Sequence, residues 1–541
     1  VLFHWLDVFV GCVEFLAASK LDDPPNLCYH PPLRDDAARA MLIRFEIFKS
    51  GERVTDFVPV GAMAMGPDSV PVPGSVTFSD NTLRVGPVDQ ATGVALLWDC
   101  GPLGAFHLET TRLAPRVRAY NLNVEIARAK LMKLLQRVEE WGLLNHVEGE
   151  ATLHRLRSLQ MKFAESLVLD SKPGEASKIA DEVLADCITL GNELSQQVAT
   201  LTLNRRQATN TFARYVFGCR VDWSQRNQRI KELFVQNFDY AVVPFTWSKI
   251  QPREEVFDTT ALDEWIDFLF THRLPIIAGP LIDFSTKSIP NWAFIWEHDF
   301  DVLRDLMIDF VRKTVQRYRK HVSVWNVVGG LHEPSISGLS FEQTIELTRL
   351  LVAQVKAMLP QARTLVTIRD PFAEHHSKIP PGVPPMLYAE TVAQAGVNCD
   401  GFGLEICTGV PSCGCYTRDL FQFSAMIDRL SVTGKPIYIT SLSAPSRATP
   451  DPADSSEGRH DPSKAGRFGE SWSPVAQREF FEAFSRIALG KPYVESVTWA
   501  DFTDAGASSP GGGLLDDMLQ PRPALEALKA MRQTYQRRER K

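Results

Sequence analysis

The chain reads as an α/β protein: a TIM-type (β/α)8 barrel preceded by a small β-sandwich-like module and a helical arm. Three observations predict this. From about residue 215 onward, short apolar runs alternate with amphipathic helical stretches, the pattern of a parallel barrel. Between about residues 121 and 211, apolar side chains recur at helical spacing. Between about residues 41 and 113, they alternate at strand spacing between turn residues.

A chain of 541 residues is too long for one ordinary domain. The expected division is an N-terminal extension over 1–40, a β-rich module over 41–120, the arm over 121–212, the barrel over 213–535 and a basic tail over 536–541. A net charge of −7 argues against nucleic acid as the main partner. The nine cysteines are odd in number and scattered, which suggests reduced thiols rather than a disulfide framework. Cys407, Cys413 and Cys415 lie close together, but no histidine is nearby in sequence and their spacing matches no usual zinc pattern. No metal and no cofactor is expected. The apolar run from Val1 to Ala18 carries Asp7 and Glu14 and lacks a basic leader. It reads as neither a signal peptide nor a membrane span, so a cytoplasmic protein without membrane association is expected. Met41 is an alternative natural start.

The module begins with Leu42–Phe48, continues through Ser75–Phe78 and Thr82–Val85 around a turn at Ser79-Asp80-Asn81, and ends with Val94–Trp98 and Ala105–Thr110. Phe78, Trp98 and Phe106 are its aromatics, and core packing is the expected role of each. In the arm, Ile126, Leu131, Leu134, Leu135 and Val138 share one helical face, and Gly142 ends that helix. Leu153, Leu156, Phe163 and Leu167 mark a second helix. Ile179, Val183, Cys187, Leu190, Leu194 and Leu201 mark a third. This stripe either packs on its own chain or forms a homo-oligomer interface.

The barrel strands are read at Val216–Val221, Tyr240–Pro244, Leu274–Ile282, Val322–Val328, Thr364–Ile368, Gly401–Ile406, Pro436–Thr440 and Ser496–Ala500. After the fourth, Gly329 and Gly330 break the run, and Ser340 with Gln343 makes a capping box for a helix from Phe341 to about Leu359. Ligands of such folds meet the carboxyl ends of the strands. Asp283, Glu333, Asp370, Glu405, Asp501 and Asp504 all fall at or just past strand ends and are expected to converge on one mouth. Glu333 with Glu405 is the candidate acid–base pair; the others are candidate substrate contacts or loop carboxylates paired with Arg or Lys. The polar loop 444–474 reads as a lid or rim, or as an ordinary surface loop, with Trp472 as its candidate aromatic platform for a ligand.

Several stretches resemble glycoside hydrolase family 10, the xylanase-type retaining hydrolases. The C-terminal patch is the clearest: Val497-Thr498-Trp499-Ala500-Asp501, then Gly513-Leu514-Leu515-Asp516, then Gln520-Pro521-Arg522-Pro523-Ala524. Phe217-Gly218-Cys219-Arg220-Val221 resembles the family's first strand, and Trp247-Ser248-Lys249-Ile250-Gln251-Pro252 its sugar-contacting loop. On this resemblance Trp247 is a substrate contact. The family's Trp-Asp-Val-Val-Asn-Glu-Ala run matches Trp325-Asn326-Val327-Val328-Gly329-Gly330-Leu331, which puts Gly330 where the family has its acid/base glutamate. Its Ile-Thr-Glu-Leu-Asp run matches Ile439-Thr440-Ser441-Leu442-Ser443, which puts Ser441 where the family has its nucleophile. The resemblance implies a carbohydrate ligand at the mouth with the retaining pair replaced. Two alternatives stand beside it: an active glycoside hydrolase using displaced carboxylates, and a structural or assembly protein.

Overall fold

The structure, a computed structural model, describes residues 41–143, 149–285, 287–333, 339–378 and 382–535. The expectations for residues 1–40 and for the tail 536–541 lie outside the described residues. Residues from Met41 onward form one compact unit.

Eight parallel strands close into a ring. They are Phe217–Arg220, Tyr240–Val243, Ile276–Ala278, Val324–Gly329, Arg363–Ile368, Gly401–Cys407, Ile437–Ser443 and Val494–Trp499. Each pairs with the next, and the eighth returns to the first through Phe217↔Val497 and Cys219↔Trp499. The third strand is interrupted after Ala278, and a short continuation, Ile282–Asp283, pairs with Val328 and Gly329. A helix follows every strand, so this is a (β/α)8 barrel. The helix after the fourth strand, Phe341–Met358, starts on the expected capping box: Ser340 Oγ accepts from Gln343 N, and Gln343 Oε1 accepts from Ser340 N.

Strand alternation decides what faces the barrel axis. Tyr240, Val242, Ile277 and Leu365 form one buried apolar cluster inside the ring, with Val324 and Tyr438 packed against it. Side chains two and four residues beyond these share the inward face. Asn326 and Thr367 meet there, where Thr367 Oγ1 donates to Asn326 Oδ1 at 2.9 Å. Arg369 follows Thr367 on the same face at the carboxyl end.

The strands before the barrel make a four-stranded sheet, the two-stranded pair Phe48–Lys49 and Glu52–Arg53, and four strands of a five-stranded sheet whose remaining strand, Arg467–Phe468, comes from the loop after the seventh barrel strand. Ser75–Ser79 and Thr82–Val88 form a hairpin whose two-residue turn has Asp80 at φ +51° and Asn81 at φ +55°, the positive pair that matches strand twist. Trp98 and Phe106 are buried in the core, and Phe78 packs on Phe57. The arm has helices Leu122–Glu140, Gly149–Val168 and Pro173–Thr209. Its apolar stripe is largely spent on its own chain: Ile126, Leu131, Leu134, Val183, Cys187, Leu190 and Leu194 share one core with the module, and Phe421 of the barrel joins it. Met132, Met161 and Leu201 remain exposed on the arm.

Three polar joints fasten these parts to the barrel. Lys130 Nζ reaches Asp419 Oδ2 at 2.5 Å with both side chains almost wholly buried. Arg206 Nη1 donates to the carbonyls of Leu489, Lys491 and Val494. In the third joint Arg418 pairs with Glu374 and donates to His107 Nδ1 at 3.3 Å. The loop 444–474 is no free lid. Arg467–Phe468 adds to the module sheet beside Gly104 and Ala105, Asp451 accepts from Gly511 N, and Ser455 N donates to Ala507 O.

Candidate functional site

The carboxyl ends of the strands surround a cavity of about 650 Å3. Its polar lining includes Arg220, Asp283, Arg369, Glu405, Ser441 and Asp501. The volume lies within the range of small-ligand sites.

Arg369 is the centre of the lining. It follows the fifth strand directly and points inward by the alternation described above. Its Nη2 donates to Asp283 Oδ1 at 2.8 Å, its Nε donates to Glu405 Oε2 at 3.1 Å, and its Nη1 lies 3.6 Å from Glu333 Oε2. One always-charged guanidinium therefore joins three carboxylates from the ends of the third, fourth and sixth strands. Burial favours protonated Asp283, but the Arg369 charge and the hydrogen bonds from Arg369, Ser285 N and Ser288 prevail and hold its pKa below the usual value. Burial pushes Glu333 up against the opposing pull of Arg369. Glu333 Oε1 is buried without a hydrogen-bond partner.

The guanidinium also lies against the backbone turn after the fourth strand. Gly330 has φ +66°, and a Cβ built there would stand 2.7 Å from Arg369 Nη1 and 3.1 Å from its Cζ. Space that a side chain at position 330 would need is filled by Arg369. Ser441 stands across from Glu405 in the strand register and lines the cavity.

A second pair lies beside the first. Arg220 Nη2 donates to Asp501 Oδ1 at 2.7 Å and to Ser508 Oγ at 2.6 Å, and Asp501 Oδ2 accepts from Ser508 N. Asp501 is thus brought to the mouth with Asp283 and Glu405, while Glu333, 3.6 Å from Arg369 Nη1, is not part of the cavity lining.

Besides Glu333, four residues expected at the mouth are elsewhere. Trp247 is 2% exposed, packs edge-on against Trp292 and near Phe310, and donates its indole N–H to Gln251 Oε1; its neighbours Thr246 and Lys249 line the cavity instead. Trp472 is 3% exposed, donates to Gly466 O and packs edge-on against Phe480, so neither ring face is offered to a sugar. Asp370, at φ +41°, turns away from the mouth and accepts from His375 N and Nδ1. Burial opposes its ionisation, but the His375 hydrogen bonds and charge hold its pKa down. Asp504 is buried in a two-pronged pair with Arg522 and accepts from Gly513 N, a clamp on the last turn before the C-terminal helix.

Sequence reasoning missed Arg369 and Arg220 because it searched the strand ends for carboxylates only. The signal was present: Arg369 directly follows Ile368 at the end of a strand, and Arg220 ends the first. Among the described residues no group of three or more His, Cys, Asp or Glu side chains is arranged to hold a metal ion. No helix among them is long and apolar enough to cross a membrane.

No family model matches the chain, and no curated protein matches it. Solved structures that are similar include native xylanase 10B from Thermotoga maritima, at 16% identity, covering 60% of this chain and 96% of that one with a TM-score of 0.46. Xylanase 10B from Thermotoga petrophila RKU-1 in complex with xylobiose is similar at 17% identity, 60% and 95% coverage and a TM-score of 0.46. A GH10 endoxylanase retrieved from a sugarcane soil metagenome is similar at 16% identity, 59% and 96% coverage and a TM-score of 0.47. Likeness at this level carries no argument about activity, and the barrel assignment rests on the closed ring of strands.

Proposed function

We propose that the barrel mouth binds a β-linked glycan and does not hydrolyse it, as a divergent family 10-like protein of carbohydrate metabolism. The observation that carries this reading is the Arg369 guanidinium. It stands over Gly330, where the family resemblance expects an acid/base glutamate, and ties up Asp283, Glu333 and Glu405 together. A retaining hydrolase needs two carboxyl groups roughly 5–5.5 Å apart, one of them able to give up a proton to the leaving group. A guanidinium cannot do so at ordinary pH, because it never deprotonates in proteins. The rest of the lining suits a polyol. Carboxylates accept from sugar hydroxyls, and Arg220, Arg369 and the Asn326 amide donate to them.

One observation favours hydrolysis through displaced carboxylates. The pKa of Glu333 is pushed up and that of Asp283 is held down, a split that resembles an acid and its partner. The two readings separate in one experiment. Purified protein is titrated with xylan and mixed-linkage glucan oligomers by calorimetry, and the same mixtures are assayed for reducing ends beside Glu333→Ala, Glu405→Ala and Asp283→Asn. Heat of binding without new reducing ends is the expected result. Turnover that disappears in any of the three variants would replace it with the hydrolase reading. Neither binding nor turnover would leave the structural or assembly role.

A further inference from the structure

We propose that the glycan taken at the barrel mouth is acidic, and that Lys249 and Lys287 on one wall of the cavity receive an anionic group, a carboxylate or an ester sulfate, carried by one of its sugars. This rests on the glycan reading above and narrows its ligand class.

The two lysines come from neighbouring barrel loops. Lys249 lies in the short helix Trp247–Ile250 after the second strand, and Lys287 in the loop after Ile282–Asp283. Two hydrogen bonds clip these loops together: Ser248 N donates to Ser288 O at 2.8 Å, and Ser248 Oγ donates to Lys287 O at 2.6 Å. Both lysines line the same cavity as Asp283, Glu405 and Asp501. The turn that carries Lys287 is also tied to the carboxylates. Ser288 N donates to Ser285 O at 2.9 Å, Ser288 Oγ donates to Asp283 Oδ2 at 3.0 Å, and Arg369 holds Asp283. One hydrogen-bonded frame from Ser248 to Arg369 therefore carries both the lysine wall and the carboxylate cluster.

The other cations of the lining are already engaged. Arg369 is paired with Asp283 and Glu405, and Arg220 with Asp501. Lys249 Nζ instead stands 5.3 Å from the centroid of the Trp223 ring, and Lys287 Nζ lies 3.5 Å from Ser455 O. Neither ammonium is paired with a carboxylate among the described residues. Asp222, the remaining acid of the lining, is engaged through Oδ1 by Ser224 N and Oγ. Two ammonium groups with open donors, held side by side at a cavity, attract an anion. A neutral sugar donates its hydroxyls to Asp283 and Glu405 and leaves both lysines without a counter-charge. A sugar that bears an anionic group uses both walls.

The test is calorimetric titration of the whole chain with matched β-1,4-linked oligosaccharides of one length: cello-oligosaccharide, its counterpart oxidised to the carboxylate at C6, and its counterpart sulfated at C6. The three differ only at C6, so the affinity ratio isolates the anionic group. Two exposed charge contacts support a preference of about tenfold for an acidic oligomer at low salt, and the preference should fall as salt is added. The carboxylate and sulfate arms identify which anion the wall takes. In the double variant Lys249→Gln/Lys287→Gln the ratio should fall to about one, and Lys249→Arg/Lys287→Arg should restore it. Neutral oligomer bound as tightly as both acidic ones by the wild type overturns this proposal and leaves the glycan reading standing. A preference that survives in the glutamine double variant overturns the assignment to the two lysines. No binding of any of the three overturns the proposal together with the glycan reading.

Discussion

Replacing Arg369 by glutamine removes the only positive charge that Asp283 and Glu333 are paired with among the described residues, and the one that Glu405 is paired with. All four side chains are at least three-quarters buried, with 23% exposure for Arg369 and 20%, 19% and 24% for Asp283, Glu333 and Glu405. At 4 Å in an effective dielectric of 20, a single pair is worth about 4 kcal/mol. The net loss is smaller than the sum over three carboxylates, because the burial cost of the guanidinium disappears with it. Breaking a buried pair from one side costs about 3–5 kcal/mol, and that range is the expected loss at pH 7. The sign of its pH dependence follows from the variant. Asp283 and Glu333, which Arg369 favours as carboxylates in the wild type, take up protons more readily without it, so the deficit should shrink as pH falls from 7 towards 4.5. Urea unfolding followed by tryptophan fluorescence at both pH values measures this. A deficit below about 1 kcal/mol, or one that is the same at both pH values, would refute the claim that Arg369 holds the mouth together through charge.

Other outcomes follow from the same geometry. Lys130→Met should cost about 3–5 kcal/mol in chemical denaturation because it leaves Asp419 charged and buried; a loss near zero would mean the pair is hydrated. Gly330→Ala should cost about 1–2 kcal/mol for φ +66° alone, with more from contact with Arg369, and a silent substitution in thermal unfolding would contradict the crowding described at the mouth. Burial opposes it, but Lys133 and Arg112 hold Glu109 down to about 2 from the usual 4.5. Its contribution is fully present above about pH 4.5 and lost as pH falls towards 2, about 3 kcal/mol in all and about 2 kcal/mol by pH 3. The stability gap between wild type and Glu109→Gln should therefore narrow by that amount between pH 6 and pH 3, and a constant gap would exclude the linkage.

Much of the barrel was legible because its signals are local. Apolar runs with β-branched residues mark buried strands, and Ser340 with Gln343 announces a helix start from four residues of sequence. The hairpin at Asp80-Asn81 was legible for the same reason. The mouth was legible only in part. Asp283, Glu405 and Asp501 reach it because residues at strand ends in a parallel barrel must share one rim. Trp472 and Trp247 were misplaced because an aromatic in a polar loop carries no mark of whether its ring turns outward or joins the core. Asp370 and Asp504 also sit at strand ends, yet His375 and Arg522 turn them inward to structural tasks.

By itself, then, the sequence determined the order of elements, the ring of strands and the rim on which charged groups gather, since these follow from periodicity and chain direction. Only the tertiary structure decided which charges meet. Arg369 lies 86 residues from Asp283 and 36 from Glu405 along the chain. Their convergence depends on barrel closure and on the empty side-chain position at Gly330, which no short stretch of sequence encodes. The same holds for Lys130 and Asp419, separated by 289 residues and joined only when the arm docks on the barrel. Local propensity sets the backbone one segment at a time, whereas a buried charge must find its partner across the whole fold.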